Sequence, residues 1–427
     1  MSTHHSKPIT VALPTLGCKV NRYDSDEMAR QLIAHGYTIV PAHQPADVYI
    51  VNTCTVTVEA DAKSRKTLRR ALRINDEAKL IVTGCYASLA PEKIAAIGGV
   101  DAVVPITEQH RIPALVAQLC PNTAPQMMQQ EMPHGLSASI ERTRATVKVQ
   151  DGCNLHCAFC AVTIARGDLR SRPIDEVVRE LQGLVNAGIQ EIVLTGIRLD
   201  AYGLDQHTRL ADLLDATHDL GITRLRLSSL EPIGINKHLA ERLAAHPSLC
   251  HHFHVCLQSG DNGILRTMRR GYTAERYRRT IDLLRDAMPD STFTTDVIVG
   301  FPGETDEAFA NTCTLVEDIG FIKLHIFKYS PRPGTVAAGM TPQIADTSKD
   351  ARSETLFALE RKLFRRHAQT LINTDVSVLV ERSGKNGDGL TPHYLRVCAP
   401  FFAGTEGKIQ AAKVTEIGDD FLLAQPY

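Results

Sequence analysis

The sequence predicts a multidomain α/β protein: an N-terminal parallel α/β sandwich, a central partial (βα)6 barrel and a small C-terminal β-barrel. Three observations carry that prediction. Apolar runs of strand length alternate with helix-period stretches in two separate series, the pattern of parallel sheets covered by helices. After residue 372 the helices stop and only strand-and-turn segments remain. The 427 residues are 43% hydrophobic and 22% charged, which furnishes several cores and argues against disorder.

In the first series ITVALPTL (9–16) precedes a helical stretch at 22–35, and DVYIVNT (47–53) precedes 58–74. KLIVTG (79–84) precedes 91–97, and AVVPIT (102–107) precedes 108–119, which together define a domain over 1–120. Residues 121–140, rich in Pro, Gln, Ser and Met without either periodicity, read as a linker. In the second series the strand candidates are TVKVQ (146–150), EIVLTG (191–196), RLRLSSL (224–230), HFHVCLQ (252–258), TFTTDVIVG (292–300) and KLHIFKYS (323–330), within a domain at 141–366. A closed βα barrel needs eight strands, so six leave one side open to something larger than a metabolite. A basic helix at 352–372 then leads into DVSVLVE, TPHYLRVCAP, GKIQAAKVTEIG and DDFLLAQPY, the material of a small β-barrel at 367–427.

The formal net charge of -1 hides an uneven distribution. Residues 61–73 and 264–279 each hold six basic groups against one acid, and 361–367 adds four more bases. Lys63, Lys66, Arg70 and Arg73 recur at three- and four-residue steps and so share one helix face. Each cluster alone reads equally as a solvated helix face, but three in an otherwise acidic chain favour a polyanion partner. No apolar run of ~18 residues is present, so no membrane association is expected. The opening MSTHHSKPIT lacks the apolar stretch of a secretory signal. Eleven cysteines without an export signal favour metal or redox chemistry in the reducing cytoplasm over a disulfide framework.

Cys153, Cys157 and Cys160 form a C-x3-C-x2-C triad in QDGCNLHCAFCAVTIARG. Structural zinc takes four closed ligands, and no fourth Cys or His follows at zinc-ribbon spacing. Three thiolates on a short loop suit three irons of a cubane and leave the fourth iron open. A Cys157/Cys160 redox pair, or a zinc half-site with His156, is the alternative. Cys18, Cys54 and Cys85 each follow a predicted strand, roughly one βα unit apart (~30 residues). All three therefore project from the carboxyl ends of parallel strands, where open α/β sheets place their sites, and a second metal cluster is predicted there.

The triad, with Phe159 between its last two cysteines and a first barrel strand before it, resembles the signature of radical S-adenosylmethionine (SAM) enzymes. With GCKVN, NTCTVTVEADAKSRKTLRR and GCYA ahead of it and a terminal β-barrel similar to the RNA-binding TRAM domain, the whole chain resembles the radical SAM methylthiotransferase family. It is most similar to the MtaB-type branch, which acts on N6-threonylcarbamoyladenosine at position 37 of tRNA; action on isopentenyladenosine in tRNA, or on a ribosomal protein, is the alternative. The resemblance implies two 4Fe-4S clusters, one on Cys153, Cys157 and Cys160 as the catalytic radical source, the other on Cys18, Cys54 and Cys85 as the sulfur-bearing one. It further implies SAM, the anticodon stem-loop of tRNA, an electron donor such as flavodoxin or ferredoxin, a sulfur donor, and function as a monomer.

Candidate SAM contacts lie at the strand ends. Phe159 sits within the triad, and Thr195 and Gly196 end the second barrel strand, without the Glu that usually completes the family's motif there, so a tight turn is the alternative. Ser228, Ser229 and Glu231 in LSSLEP are placed to reach ribose hydroxyls, and Gln258 closes the fourth strand. Arg166 and Arg170, just beyond the triad, are candidates for the SAM carboxylate, with plain surface arginines as the alternative. Gly300 and Gly303 suit a plain turn as well as close approach of adenine. Cys120, Cys250, Cys256, Cys313 and Cys398 read as small buried hydrophobes.

Overall fold

The run Val48–Thr53 is wholly buried, as a central strand covered on both faces must be. The computed structural model describes residues 8–121, 143–382 and 387–427; of the linker predicted at 121–140, all but residue 121 lies outside the described residues. Strands β1 (Thr10–Ala12), β2 (Thr38–Val40), β3 (Val48–Thr53), β4 (Lys79–Gly84) and β5 (Ala102–Val103) pair in parallel in the order β2-β1-β3-β4-β5. Strand β2 escapes the sequence reading because three partly exposed edge residues make no apolar run. The strand order reverses between β1 and β3, and such a switch point opens a crevice at the carboxyl ends of the strands. Helix α1 (Lys19–Ala34) follows β1 and α2 (Val58–Ile74) follows β3. Thr57 caps α2 by accepting from the Ala60 amide at 3.1 Å, with Glu59 and Asp61 in its first turn. The five-residue α3 (Cys85–Leu89) starts directly from β4.

The second series forms the predicted partial barrel from β6 (Arg144–Lys148), β7 (Glu191–Thr195), β8 (Arg224–Leu227), β9 (Ser229–Leu230), β10 (His252–Val255), β11 (Thr292–Val299) and β12 (Lys323–Lys328). The predicted strand 224–230 is broken at Ser228, so the barrel divides into the sheets β8-β7-β6 and β9-β10-β11-β12. Among the described residues β6 and β12 do not pair, which leaves the barrel open along that seam. A short helix, α4 (Val162–Arg166), starts just after the last triad cysteine. Leu181, Leu225, Phe253, Tyr277 and Phe321 are among the side chains that fill the core between strands and covering helices.

Helix α5 (Asp346–Gln369) crosses from one core to the next. Leu356 and Leu363 pack in the barrel core, Phe364 and Ala368 in the terminal one. Strands β13 (Asp375–Arg382), β14 (Asp388–Leu390), β15 (Arg396–Cys398), β16 (Ile409–Ile417) and β17 (Leu422–Pro426) close a small barrel in the order β13-β14-β15-β17-β16. It is clamped to the central barrel by two buried arginines: Arg224 donates to the Ser377 carbonyl and Arg226 to the Thr391 carbonyl, each at 3.0 Å. Among the described residues no helix is long and apolar enough to cross a membrane.

Candidate functional site

The three N-terminal cysteines meet at the switch-point crevice. Cys18 stands at the N-cap position of α1, Cys54 follows β3 and Cys85 opens α3, so all three lie at the carboxyl ends of the adjacent parallel strands β1, β3 and β4. Their loops are tied by Asn21, which is fully buried. Its Nδ2 donates to the carbonyls of Leu16 and Thr53, both at 2.9 Å, and its Oδ1 accepts from the Cys85 thiol at 3.7 Å. Gly17, at φ +100°, presses on this knot: a Cβ there would lie 2.9 Å from Cys54 Cβ and 3.1 Å from its sulfur. Burial raises the Cys54 thiol and pushes Cys85 up to about 12, with Arg166 pulling Cys85 back. Thiols held this way give up their protons when a metal takes the proton's place.

The triad loop is closed by a short antiparallel ribbon, Gln150–Asp151 against Arg170–Ser171. Each of its sulfurs has a donor aimed at it. The Leu155 amide reaches Cys153 Sγ at 3.5 Å, the Val162 amide Cys160 Sγ at 3.4 Å, and Arg270 Nη1 Cys157 Sγ at 3.1 Å. Such donors favour the thiolate, the form a metal binds, and offset the burial that pushes Cys160 up to about 12. Three thiols per loop set fit an iron–sulfur cluster at both places, and at the triad each sulfur also has a donor for its charge. The loop is further held by Gln150, whose Nε2 donates to the carbonyls of Asp151 at 2.6 Å and Gly152 at 2.7 Å. Gln150 Oε1 accepts from the Arg198 amide at 2.8 Å, and Arg198 Nη1 donates to Asn154 at 2.8 Å. The sequence reading passed over Gln150, Arg198, Arg270 and Asn21. Gln150 and Arg198 do follow the carboxyl ends of β6 and β7, the side on which βα barrels carry their sites.

Cys85 from one trio and Cys160 from the other line the same cavity, together with Phe159, Gln258, Val56 and Phe327. The joint between the domains lies beside it. Arg166, fully buried, donates through Nη1 to both carboxylate oxygens of Asp151 at 2.9 Å and through Nη2 to Asp24 at 2.9 Å and to Asn21. The expectation that Arg166 meets the SAM carboxylate is therefore corrected: across the domain joint its guanidinium finds two protein carboxylates instead. Arg170 also turns away, donating to the Arg166 carbonyl at 2.9 Å. A second tie is Arg332, from the loop after β12, whose Nη2 reaches Thr55 and Asp61 at 2.6 Å.

The candidate SAM contacts separate into groups. Phe159 and Gln258 line the shared cavity. Thr195 is buried at the end of β7, and Gly196 lies so near Gln150 that a Cβ would sit 2.8 Å from its Oε1. Glu231 is paired with Arg270, the same side chain that reaches Cys157. Ser228 and Ser229 open on a different recess, which they share with Lys19. On α2 the residues Lys63, Lys66, Arg70 and Arg73 are all exposed, opposite buried Ser64, Leu68 and Ala71. Ser64 Oγ anchors the helix by donating to the Cys54 carbonyl at 3.0 Å.

A partial barrel built from β6 to β12, with a three-cysteine loop after its first strand, defines a radical SAM enzyme. Residues 10–105 match the family described as "Uncharacterized protein family UPF0004", and residues 147–316 match the radical SAM superfamily. The threonylcarbamoyladenosine tRNA methylthiotransferase MtaB of Bacillus subtilis is 39% identical, covering 96% of this chain and 94% of its own. A tRNA-2-methylthio-N(6)-dimethylallyladenosine synthase of Methylacidiphilum infernorum is 33% identical, covering 88% of this chain and 85% of its own. Among solved structures, the radical SAM methyltransferase TsrM from Kitasatospora setae with cobalamin and a [4Fe-4S] cluster bound is alike in fold, with a TM-score of 0.59 at 17% identity over 78% of this chain and 77% of that one. The chain belongs to the radical SAM methylthiotransferase family, in its MtaB-type branch. Membership implies SAM and a 4Fe-4S cluster.

Proposed function

We propose that the protein places a methylthio group on C2 of N6-threonylcarbamoyladenosine at position 37 of tRNA, using two cysteine-held iron–sulfur clusters. The observation that carries the reading is the cavity lined by both Cys85 and Cys160. Adenine C2 bears an unactivated C–H that acid–base groups do not readily deprotonate, so a radical source and a sulfur source must face one space. When bound, the triad's cluster with SAM supplies a carbon-centred radical, the second cluster supplies sulfur and a second SAM the methyl group.

The chain's own residues do the rest. Cys153, Cys157 and Cys160 hold the first cluster, with Arg270 balancing its thiolate charge; Cys18, Cys54 and Cys85 hold the second. Phe159, Thr195, Gly196, Glu231 and Gln258 contact SAM, and the apolar side chains of the shared cavity, Val56, Phe159, Ala161, Val162, Ile298 and Phe327 among them, keep water from the radical. Exposed Phe327 and Val56 at the same cavity offer a face for a base splayed out of the anticodon loop. The exposed stripe on α2 and the terminal barrel bind the phosphates of the stem-loop. A flavodoxin- or ferredoxin-type donor and a separate sulfur donor complete the cycle, with the protein acting in the cytoplasm as a monomer. The test is nucleoside mass spectrometry of tRNA from cells lacking the gene: N6-threonylcarbamoyladenosine should persist without its 2-methylthio form, and expression of the protein should restore it. Restoration of 2-methylthio-isopentenyladenosine instead would assign the other tRNA substrate.

A further inference from the structure

Exposed Lys19, from α1 of the N-terminal domain, and Ser228, Ser229, His252, Asp296 and His325 of the central barrel line a recess. Asp296 also lines the cavity that holds Cys85 and Cys160. His325 also lines a groove along the open seam between β6 and β12, beside Arg361 of α5 and Tyr394 of the terminal barrel. The recess thus adjoins both the cavity shared by the two cysteine trios and the groove along the open seam.

Two features mark it as built for a polar ligand. Ser228 Oγ and His252 Nδ1 are buried in its wall and have no hydrogen-bond partner among the described residues. Such orphaned groups cost free energy unless something fills them. The second feature is Lys19, next to Cys18. The other cation of the recess, Arg226, is committed to Glu191 at 2.7 Å and to the Thr391 and Pro392 carbonyls at 3.0 Å. Asp296 is held by His254 at 3.3 Å. Burial, then Arg226 beside His252 and His254 beside His325, keeps both below the usual imidazole range, with a smaller contribution from Lys19 to each. Lys19 itself makes no ion pair among the described residues, and remains the recess's uncommitted positive charge.

We propose that this recess receives the N6 substituent of the target base, with Lys19 binding a carboxylate on that substituent and so selecting an acidic modification over an apolar one. The inference rests on the substrate reading above. A threonylcarbamoyl group joins the amino acid through its nitrogen, leaving the carboxylate and hydroxyl free beside a ureido function. Lys19 matches the first, and Ser228 and His252 match the others. One ring nitrogen separates C2 from the carbon that bears the N6 substituent. A base whose C2 faces the two cysteine trios therefore carries its substituent into adjoining space, which is where the recess lies.

The test measures binding of anaerobically purified holoprotein to two anticodon stem-loop RNAs. One carries N6-threonylcarbamoyladenosine, the other its threoninamide analogue, in which a neutral amide replaces the carboxylate. The wild type should prefer the acid by about 10-fold or more, the scale of a charge-assisted contact. Lys19→Gln should bring that ratio close to one, and Lys19→Arg should keep most of it. Ser228→Val, distant in sequence from every proposed cluster cysteine, should lose preference for the modified base over unmodified adenosine. A wild-type ratio near one, or a ratio unchanged in Lys19→Gln, overturns the inference. Wild-type turnover on the acid RNA combined with either result sinks the recess alone, whereas absence of turnover on that RNA sinks the substrate reading.

Discussion

The two cysteine trios reach similar ends by different routes. Cys153, Cys157 and Cys160 sit on one short loop, where local spacing alone brings their sulfurs together, and Gln150 and Arg270 refine the result. Cys18, Cys54 and Cys85 come from three separate strand ends, and only the parallel order of β1, β3 and β4 unites them. The first trio is a property of a segment and the second is a property of a fold. What holds the second together is accordingly a residue that touches all three loops, Asn21.

The largest expected effect separates the trios outright. Cys157→Ala should reduce reductive SAM cleavage to background while the other trio keeps its metal, leaving about four of about eight irons per chain. The converse variant, Cys54→Ala, should still release 5′-deoxyadenosine under anaerobic reduction yet transfer no sulfur. Cleavage persisting in Cys157→Ala, or full methylthiolation by Cys54→Ala, would erase the distinction between the sites.

Next in size is the joint between the domains. Arg166→Met would strand Asp24 and Asp151 as buried, partly unpaired carboxylates, a change that costs about 3–5 kcal/mol when one partner of a buried pair is lost. Urea unfolding monitored by circular dichroism measures it, and a loss under about 1 kcal/mol would show that the joint is no true buried pair. Asn21→Ala sharpens the comparison further. It removes the donor from two carbonyls, at about 1–3 kcal/mol for each buried group left unsatisfied. Iron retention at the N-terminal trio should fall while SAM cleavage continues, whereas Gln150→Ala should slow SAM cleavage and spare the N-terminal metal.

The smallest effect concerns the helix that grows from the Cys54 loop. Replacing Lys63, Lys66, Arg70 and Arg73 by alanine should weaken stem-loop binding at low salt and lower its salt slope by about 0.7 for each single-stranded phosphate no longer neutralised. SAM cleavage without RNA should not change. An unaltered slope would move the RNA interface off the N-terminal domain.

The same contrast explains what could be read ahead of the structure. The triad, the two alternating series and the change to strands near the end are local patterns, and each appears in the fold close to where the sequence puts it. The convergence of Cys18, Cys54 and Cys85 followed from counting βα units, because parallel strands send all their carboxyl ends one way. Contacts that depend on which domain faces which were not legible. Arg166 looked like a ligand for a small carboxylate, yet Asp24, more than a hundred residues earlier, takes its Nη2. Asn21 and Gln150 are ordinary amides in sequence, and their value comes from carbonyls that arrive from elsewhere in the chain. Ser228 and Glu231, three residues apart, read as one ribose-binding group, but the break between β8 and β9 turns them toward different spaces.

Everything proposed for the reaction depends on two trios holding two clusters around one cavity. Iron and acid-labile sulfide counted together with Mössbauer spectra, on protein reconstituted and kept free of oxygen, test it most directly. About eight irons per chain are expected in two spectroscopically distinct sets, with only the set assigned to Cys153, Cys157 and Cys160 changing when SAM is added. A single set of about four irons, or zinc in their place, would contradict it.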